Sequence, residues 1–431
     1  MKEIRRDRYL KQLADCQWDG QVKVVTGIRR CGKSYLLKHL FRKHLLESGL
    51  KETDILCIEL DVDENAALRH PLRLGERVRK WMEGAKRRRR VLMVDEIQMC
   101  EEVPNPAVPE GKKLTFYDTL NGLRNLENLD IYVTGSNSRM LAGDVLTEFR
   151  GRADDIRLHP LSFAEFYAAV GGDRRDALDE FLRYGGMPFA LSRKGAEGKE
   201  AYLKGLFEEV YLKDIVERRK IERRDVLEAT VDLLCSSVGS LTNPSRVAAG
   251  LASTGTKVAT HTVRDYIGHL EDAFLFSELR RYDIKGRAYF DYPNKYYCED
   301  VGLRNARLGW RQQKPTHLME NVICNELLLR GYPVDVGVVE GTRVNERGHS
   351  VRVQREIDFV VNRPGTRVYV QSAWAMSDDE KRERELKPFS LTGDSFRKIV
   401  VRNDIGRPWQ DERGVLHVGL CDFLLDESLL K

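Results

Sequence analysis

Residues 22–37 read VKVVTGIRRCGKSYLL. An apolar strand pattern runs into a loop bounded by Gly27 and Gly32, then into a stretch with Leu36, Leu37, Leu40 and Phe41 on one helical face. The loop Gly27-Ile28-Arg29-Arg30-Cys31-Gly32-Lys33-Ser34 has the spacing G-x-x-x-x-G-K-[ST]. It also lies where that spacing acquires a physical meaning, between a strand and a helix. Successive backbone N–H groups and the helix N-terminus can then cradle phosphate oxygens, the lysine neutralises the terminal phosphates, and the serine hydroxyl holds Mg²⁺. Residues Gly27 through Gly32 with Lys33, Ser34 and Tyr35 are therefore the candidate ATP-binding residues, and Ser34 is the first candidate Mg²⁺ ligand.

Further strand patterns occur at 54–61, 91–96 and 130–136, with helical patterns between them. This alternation predicts an α/β fold with a parallel sheet covered on both faces. The strand pattern at 91–96 ends in Asp95-Glu96, the form expected of a strand lying beside a phosphate loop. Asp95 is the candidate second metal-side group and Glu96 the candidate base for an attacking water, a pairing that favours hydrolysis over transfer to an organic acceptor. The fourth strand runs into Thr134-Gly135-Ser136-Asn137-Ser138. If it neighbours the third strand, Ser136 or Asn137 can sense a γ-phosphate, with Asn137 the catalytic candidate. Arg150 and Arg152 follow, either as arginines that reach that phosphate or as surface partners of Asp154 and Asp155. Residues 100–113, with three prolines, read as an irregular loop.

Taken together, TGIRRCGKS, MVDEIQ, VTGSNSRML and GRADDIRLHPLSFAEF resemble the bacterial and archaeal AAA-type ATPases of the AAA+/STAND group. The resemblance implies a P-loop ATPase domain at 1–165, a helical connector at 166–225, a winged-helix domain at 226–295 and a PD-(D/E)XK nuclease-like domain at 296–431. By position it places Lys33 and Ser34 in the Walker A pair, Asp95 and Glu96 in the Walker B pair, and Arg152 as the arginine finger. His159-Pro160 departs from the family's usual Leu-Pro.

The residues themselves support parts of that layout. From about residue 160 the pattern is helical, and 353–374 and 397–401 return to strand-like alternation. Asn243 is a good N-cap and Pro244 a good first helical residue. A second helix carries Val263, Tyr266, Ile267, Leu270 and Phe274 on one face, and the hairpin pattern ELRRYDIKGRAYFD completes a winged-helix order. Arg264, Arg280, Arg281, Lys285 and Arg287 are its candidate DNA-backbone contacts. Residues 242–288 hold only two more Lys/Arg than Asp/Glu, so a protein partner stays open beside DNA. The run Lys86–Arg90 reads as a solvated helix end.

In the nuclease-like part, Glu320 and Asp358 would stand as a lone acid pair. Gln371 and Ala373 occupy the positions where active members carry an acid and a lysine. Too little charge would remain to hold a metal and activate water, and no nuclease activity is expected.

Composition narrows the rest. Charged residues make up 32% and no apolar run is long enough to cross a bilayer, so a soluble cytoplasmic protein without membrane contact is expected. Eight scattered cysteines and nine histidines show no metal-ligand spacing. The expected function is a slow Mg-dependent ATPase whose nucleotide state switches winged-helix and C-terminal interactions. The alternative is a DNA-binding module that keeps ATP as a structural ligand with little turnover. An arginine finger acting in trans would require an oligomer.

Overall fold

The computed structural model describes residues 3–84, 88–106, 111, 113–135, 153–344, 349–376 and 378–430. They fall into two compact units, Met1–His159 with Asp272–Phe274, and Pro160–Glu271 with Leu275–Lys431.

In the first unit, β1 (Val22–Thr26), β2 (Ile55–Glu59), β3 (Arg90–Asp95), β4 (Leu129–Thr134) and β5 (Ala153–Arg157) form a sheet in the order β2-β3-β4-β1-β5. Every pairing is parallel. Parallel neighbours require crossovers, and the helices Pro71–Glu83 and Phe116–Leu123 lie on the connections that flank β3. Strands β1, β3 and β4 are buried along their whole length, as strands covered on both faces must be. One face packs Val22, Val24, Leu92, Val94, Ile131 and Val133 against Leu74, Val78, Leu120 and Leu123 from those two helices.

The four sequence-predicted strands are present, and the fourth neighbours the third, as a γ-phosphate sensor at its tip would require. It also separates β3 from β1, with Ile131 facing Leu92 on one side and Val22 on the other. Strand β5 was not expected at all. Its sequence ADDIR buries only Ile156, so it carries none of the apolar run that reveals a central strand, and it pairs only with β1 at the sheet edge. The predicted basic run ends differently too. Arg90 is the buried first residue of β3, and both Arg88 and Arg90 lie near the buried Asp54. Lys86 and Arg87 lie outside the described residues.

The second unit opens with helices Phe163–Val170, Arg174–Tyr184, Gly195–Gly205, Lys213–Arg219, Arg224–Ser236 and Pro244–Ser253. Asn243 caps the last as predicted, its Oδ1 accepting from the Arg246 N–H at 2.7 Å. The following helix, Thr260–Asp272, buries Val263, Tyr266, Ile267 and Leu270. Phe274 lies beyond its end, at φ +57°, and is not part of the helical face.

The hairpin pattern at 278–291 divides between two sheets. Strand β6 (Phe276–Leu279) pairs with β9 (Lys295–Cys298). The tight hairpin of β7 (Arg281–Asp283) and β8 (Ala288–Tyr289) joins β10 (Val334–Val344) as the edge of an eight-stranded sheet. That sheet continues through β11 (Ser350–Arg363), β12 (Thr366–Ala373) and β13 (Arg397–Arg402) to β14 (Trp409–Gln410) and β15 (Leu416–Gly419) in the order β14-β15-β13-β12-β11-β10-β7-β8. No helix among the described residues is long and apolar enough to cross a membrane.

The turn from β1 into the loop depends on a missing side chain. Gly27 has φ +137°, and a Cβ there would lie 2.0 Å from the Leu158 carbonyl oxygen. A backbone atom cannot swing aside, so Gly27→Ala is expected to lower stability by about 1–3 kcal/mol, measured by urea unfolding.

Candidate nucleotide-binding site

The carboxyl ends of β1, β3 and β4 meet at the phosphate-loop pattern, on the side of a parallel sheet where ligands bind. After Thr26 the chain turns through Gly27, through Arg30 at φ +64° and through Gly32 at φ +106°. Helical residues then run without a break from Lys33 to Glu47, with a wider π-type segment at Leu36–Phe41. Ile28 and Cys31 are buried, and the Cys31 Sγ lies 3.4 Å from the Leu158 carbonyl oxygen. Their side chains anchor the loop, and the Cys31 N–H donates to the Ile28 carbonyl oxygen at 3.3 Å. Tyr35 is exposed, its ring 4.8 Å from that of His39.

Lys33 is only 4% exposed, and its Nζ donates to the carbonyl oxygens of Gly27 at 2.9 Å and Ile28 at 3.1 Å. An ammonium wrapped by its own loop and held on neutral carbonyls is suited to exchange them for phosphate oxygens. Across the sheet edge, the Ser34 Oγ donates to Asp95 Oδ1 at 2.9 Å. Thr134, fully buried at the tip of β4, donates its Oγ1 to the same carboxylate oxygen and accepts from the Glu96 N–H at 2.9 Å. Glu96 has φ +54° and ψ +50°, a left-handed turn that ends the strand, and its Oε2 accepts from Gln98 Nε2. A hydroxyl and a carboxylate oxygen held together are hard donors of the kind Mg²⁺ takes, so Ser34 and Asp95 fit the metal and the loop fits a polyphosphate.

Sequence reasoning missed three groups here. Thr134 fixes Asp95, although the predicted sensors were chosen two and three residues further on. Glu59 ends β2 in register with Asp95, and Lys38 pairs with Glu59 at 2.5 Å. The acid in DILCIELD and the basic residue one turn after Ser34 were visible, but only the sheet order brings them together. Ser136, Asn137, Arg150 and Arg152 lie outside the described residues.

The AAA domain family matches residues 19–167, and a domain of unknown function matches residues 175–314. An uncharacterized protein of Haemophilus influenzae is 30% identical over 403 residues, 92% of this chain and 93% of its own length. Residues 19–167 belong to the AAA domain family. An uncharacterized protein of Methanocaldococcus jannaschii is 23% identical over 94% of this chain and 86% of its own length. The Walker-type ATPase of Pyrococcus abyssi superposes with a TM-score of 0.48 at 16% identity, over 71% of this chain and 96% of that one.

In the second unit, the predicted acid pair is neither lone nor without a lysine. Lys295 of β9 is 3% exposed, and its Nζ lies 2.9 Å from Glu320 Oε1, 2.6 Å from Glu356 Oε1 and 3.2 Å from Asp358 Oδ1. Tyr297 donates to the same Glu320 oxygen at 2.7 Å. Gln371 Oε1 accepts from the Asp358 N–H at 3.2 Å, and Ser372 N–H donates to Asp358 Oδ2 at 2.9 Å. Lys295 comes from a strand earlier in the chain, so alignment around Gln371 and Ala373 could not reveal it.

Burial works against the ammonium, but the three carboxylates outweigh it and hold Lys295 well above its usual range. Desolvation pushes Glu320 up to about 7 despite the lysine, with Asp358 adding to the rise. Among the proposed DNA contacts, Arg281 is buried and donates to Gln354 at 2.7 Å, so it is not available to a phosphate backbone. Arg264, Arg280, Lys285 and Arg287 are exposed.

Removing Lys295 strands the largely buried Glu320 and Asp358 without their cation, while Glu356 keeps partial contact with water. Lys295→Met is expected to cost about 3–5 kcal/mol of stability, measured by urea unfolding at neutral pH.

Proposed function

We propose that this protein binds ATP with Mg²⁺ in the Gly27–Ser34 loop and hydrolyses it slowly to ADP and phosphate. The observation that carries the reading is the 2.9 Å hydrogen bond from Ser34 to Asp95, which joins the phosphate loop to the acid-tipped strand across the intervening β4. Gly27 through Gly32 and Tyr35 offer the backbone around the phosphates, and Lys33 meets the β- and γ-phosphate charge. Ser34 and Asp95 hold Mg²⁺, which when bound neutralises charge on the transferring phosphoryl group. Glu96 orients the attacking water and accepts its proton. Asn137 and Arg152 are proposed to contact the γ-phosphate, so that nucleotide state changes what those segments touch.

The nucleotide state would act on the remaining parts, proposed as a helical connector at 166–225, a winged helix at 226–295 and a nuclease-like domain at 296–431. Arg264, Arg280, Lys285 and Arg287 are the exposed cations proposed for DNA, with a protein partner as the alternative occupant.

Lys33→Ala is expected to abolish saturable uptake of labelled ATP, while Glu96→Gln keeps the uptake and loses ADP release. Measured turnover in the parent protein separates an ATPase from a module that holds ATP as a structural ligand. Saturable binding without any ADP release from the parent would favour the second.

The nuclease-like domain is proposed to bind rather than cut, because Lys295 already engages Glu320, Glu356 and Asp358 directly. DNA incubated with the protein in Mg²⁺ or Mn²⁺ should stay intact. Cleavage that Asp358→Ala abolishes would overturn this.

A further inference from the structure

The metal side of the proposed ATP site contains a cation of its own. Lys38 lies one helical turn after Ser34. Its Nζ is 2.5 Å from Glu59 Oε2 and 3.5 Å from Asp95 Oδ2. Glu59, Asp61 and Asp95 each place a carboxylate oxygen within 4.8 Å of the others. Hard oxygen ligands so close together attract a divalent cation unless something else supplies positive charge. Lys38 supplies it.

The two partners are not equivalent. Asp95 is 8% exposed and already takes the Ser34 and Thr134 hydroxyls, whereas Glu59 is 40% exposed and holds Lys38 at the shorter distance. Glu59 thus offers the ammonium a place to stay when Asp95 turns to a metal.

We propose that Lys38 guards the metal position: it keeps Glu59, Asp61 and Asp95 from taking up a free divalent cation, and Glu59 draws it off Asp95 when Mg²⁺ enters with nucleotide. The proposal rests on the reading of the loop as an ATP·Mg²⁺ site. It gives the protein a reason to admit the metal only together with phosphate oxygens, whose charge Lys33 meets. Lys38 and Glu59 are positioning residues in this scheme, since both act through Asp95.

The test is Mn²⁺ binding to the nucleotide-free full chain, followed by electron paramagnetic resonance. The parent protein should bind Mn²⁺ weakly. Lys38→Met and Lys38→Gln should each bind it at least about tenfold more tightly, as expected when a unit charge some 4 Å away is removed at a partly exposed site. Lys38→Arg, which keeps the charge, should behave like the parent, and adding Glu59→Gln to Lys38→Met should remove most of the gain. In the presence of a non-hydrolysable ATP analogue, Glu59→Gln alone should need more Mn²⁺ than the parent, because Lys38 falls back onto Asp95.

Tight Mn²⁺ binding by the nucleotide-free parent, or no gain in either neutral variant, would overturn the proposal. Labelled-ATP uptake by the parent and by Lys33→Ala in Mg²⁺ buffer tests the loop reading separately. Loss of that reading would show as missing ATP uptake, whereas failure of the guard would show only in the Mn²⁺ titration.

Discussion

The carboxylate of Asp95 accepts two hydroxyl donors on one oxygen, Ser34 Oγ from the helix after the phosphate loop and Thr134 Oγ1 from the neighbouring strand. Both donors point at one atom because the sheet order places β4 between β1 and β3. If β3 lay directly beside β1, Thr134 would have no position between the loop and the acid. Charge-assisted hydrogen bonds of this kind are stronger than neutral ones, and here they fix the carboxylate from two elements at once. The loop, the acid strand and the turn into Glu96 thus share one anchor: Thr134 also accepts from the Glu96 N–H, so the same hydroxyl that holds Asp95 sets where the left-handed turn of Glu96 begins.

Much of the first unit was legible in the sequence because its strands are central. Val22–Thr26 and the strands ending in Asp95 and Thr134 are buried on both faces and therefore read as mostly apolar runs, interrupted in β1 and β4 by Lys23 and Asp130, which pair with each other. An edge strand has no such obligation, and ADDIR shows the consequence: one buried isoleucine among polar residues gives no periodic signal. Strand order is a further step that local pattern does not contain. The alternation of elements predicts a parallel sheet, but the intervention of β4 between β1 and β3 is a long-range fact. Thr134 became a site residue only through that fact, and Glu59 and Lys38 only through the pairing of β2 with β3. Each was visible as a residue at a strand tip or a helix turn, and none was distinguishable there from an ordinary solvated group.

The C-terminal acids failed the sequence reading for a related reason. The nuclease-like pattern asks for a lysine two residues after the strand acid, and Ala373 stands there instead. The lysine that serves the cluster is Lys295, on a strand that pairs with β6 and precedes the helix carrying Glu320. Two ions brought out of water recover their desolvation cost only with good geometry and additional hydrogen bonds. Both are present, in the Tyr297 hydroxyl on Glu320 and the backbone N–H of Ser372 on Asp358. Gln371 accepts from the Asp358 backbone N–H and so ties β12 to β11 at the same point.

Each unit therefore contains an ammonium set among carboxylates, and burial separates what the two can do. The Lys295 side chain is 4% exposed and meets three acids at 3.2 Å or less, so any movement would leave the largely buried Glu320 and Asp358 unpaired. That lysine can only be a fixed strut. The Lys38 side chain is 23% exposed, with one short contact to a half-open glutamate and one longer contact to a buried aspartate. Water screens its departure from Asp95, and Glu59 remains within reach when it leaves. The same chemical group thus serves as a permanent counter-ion in one place and a displaceable one in the other. The difference follows from solvent access at the sheet edge rather than from the number of acids around it.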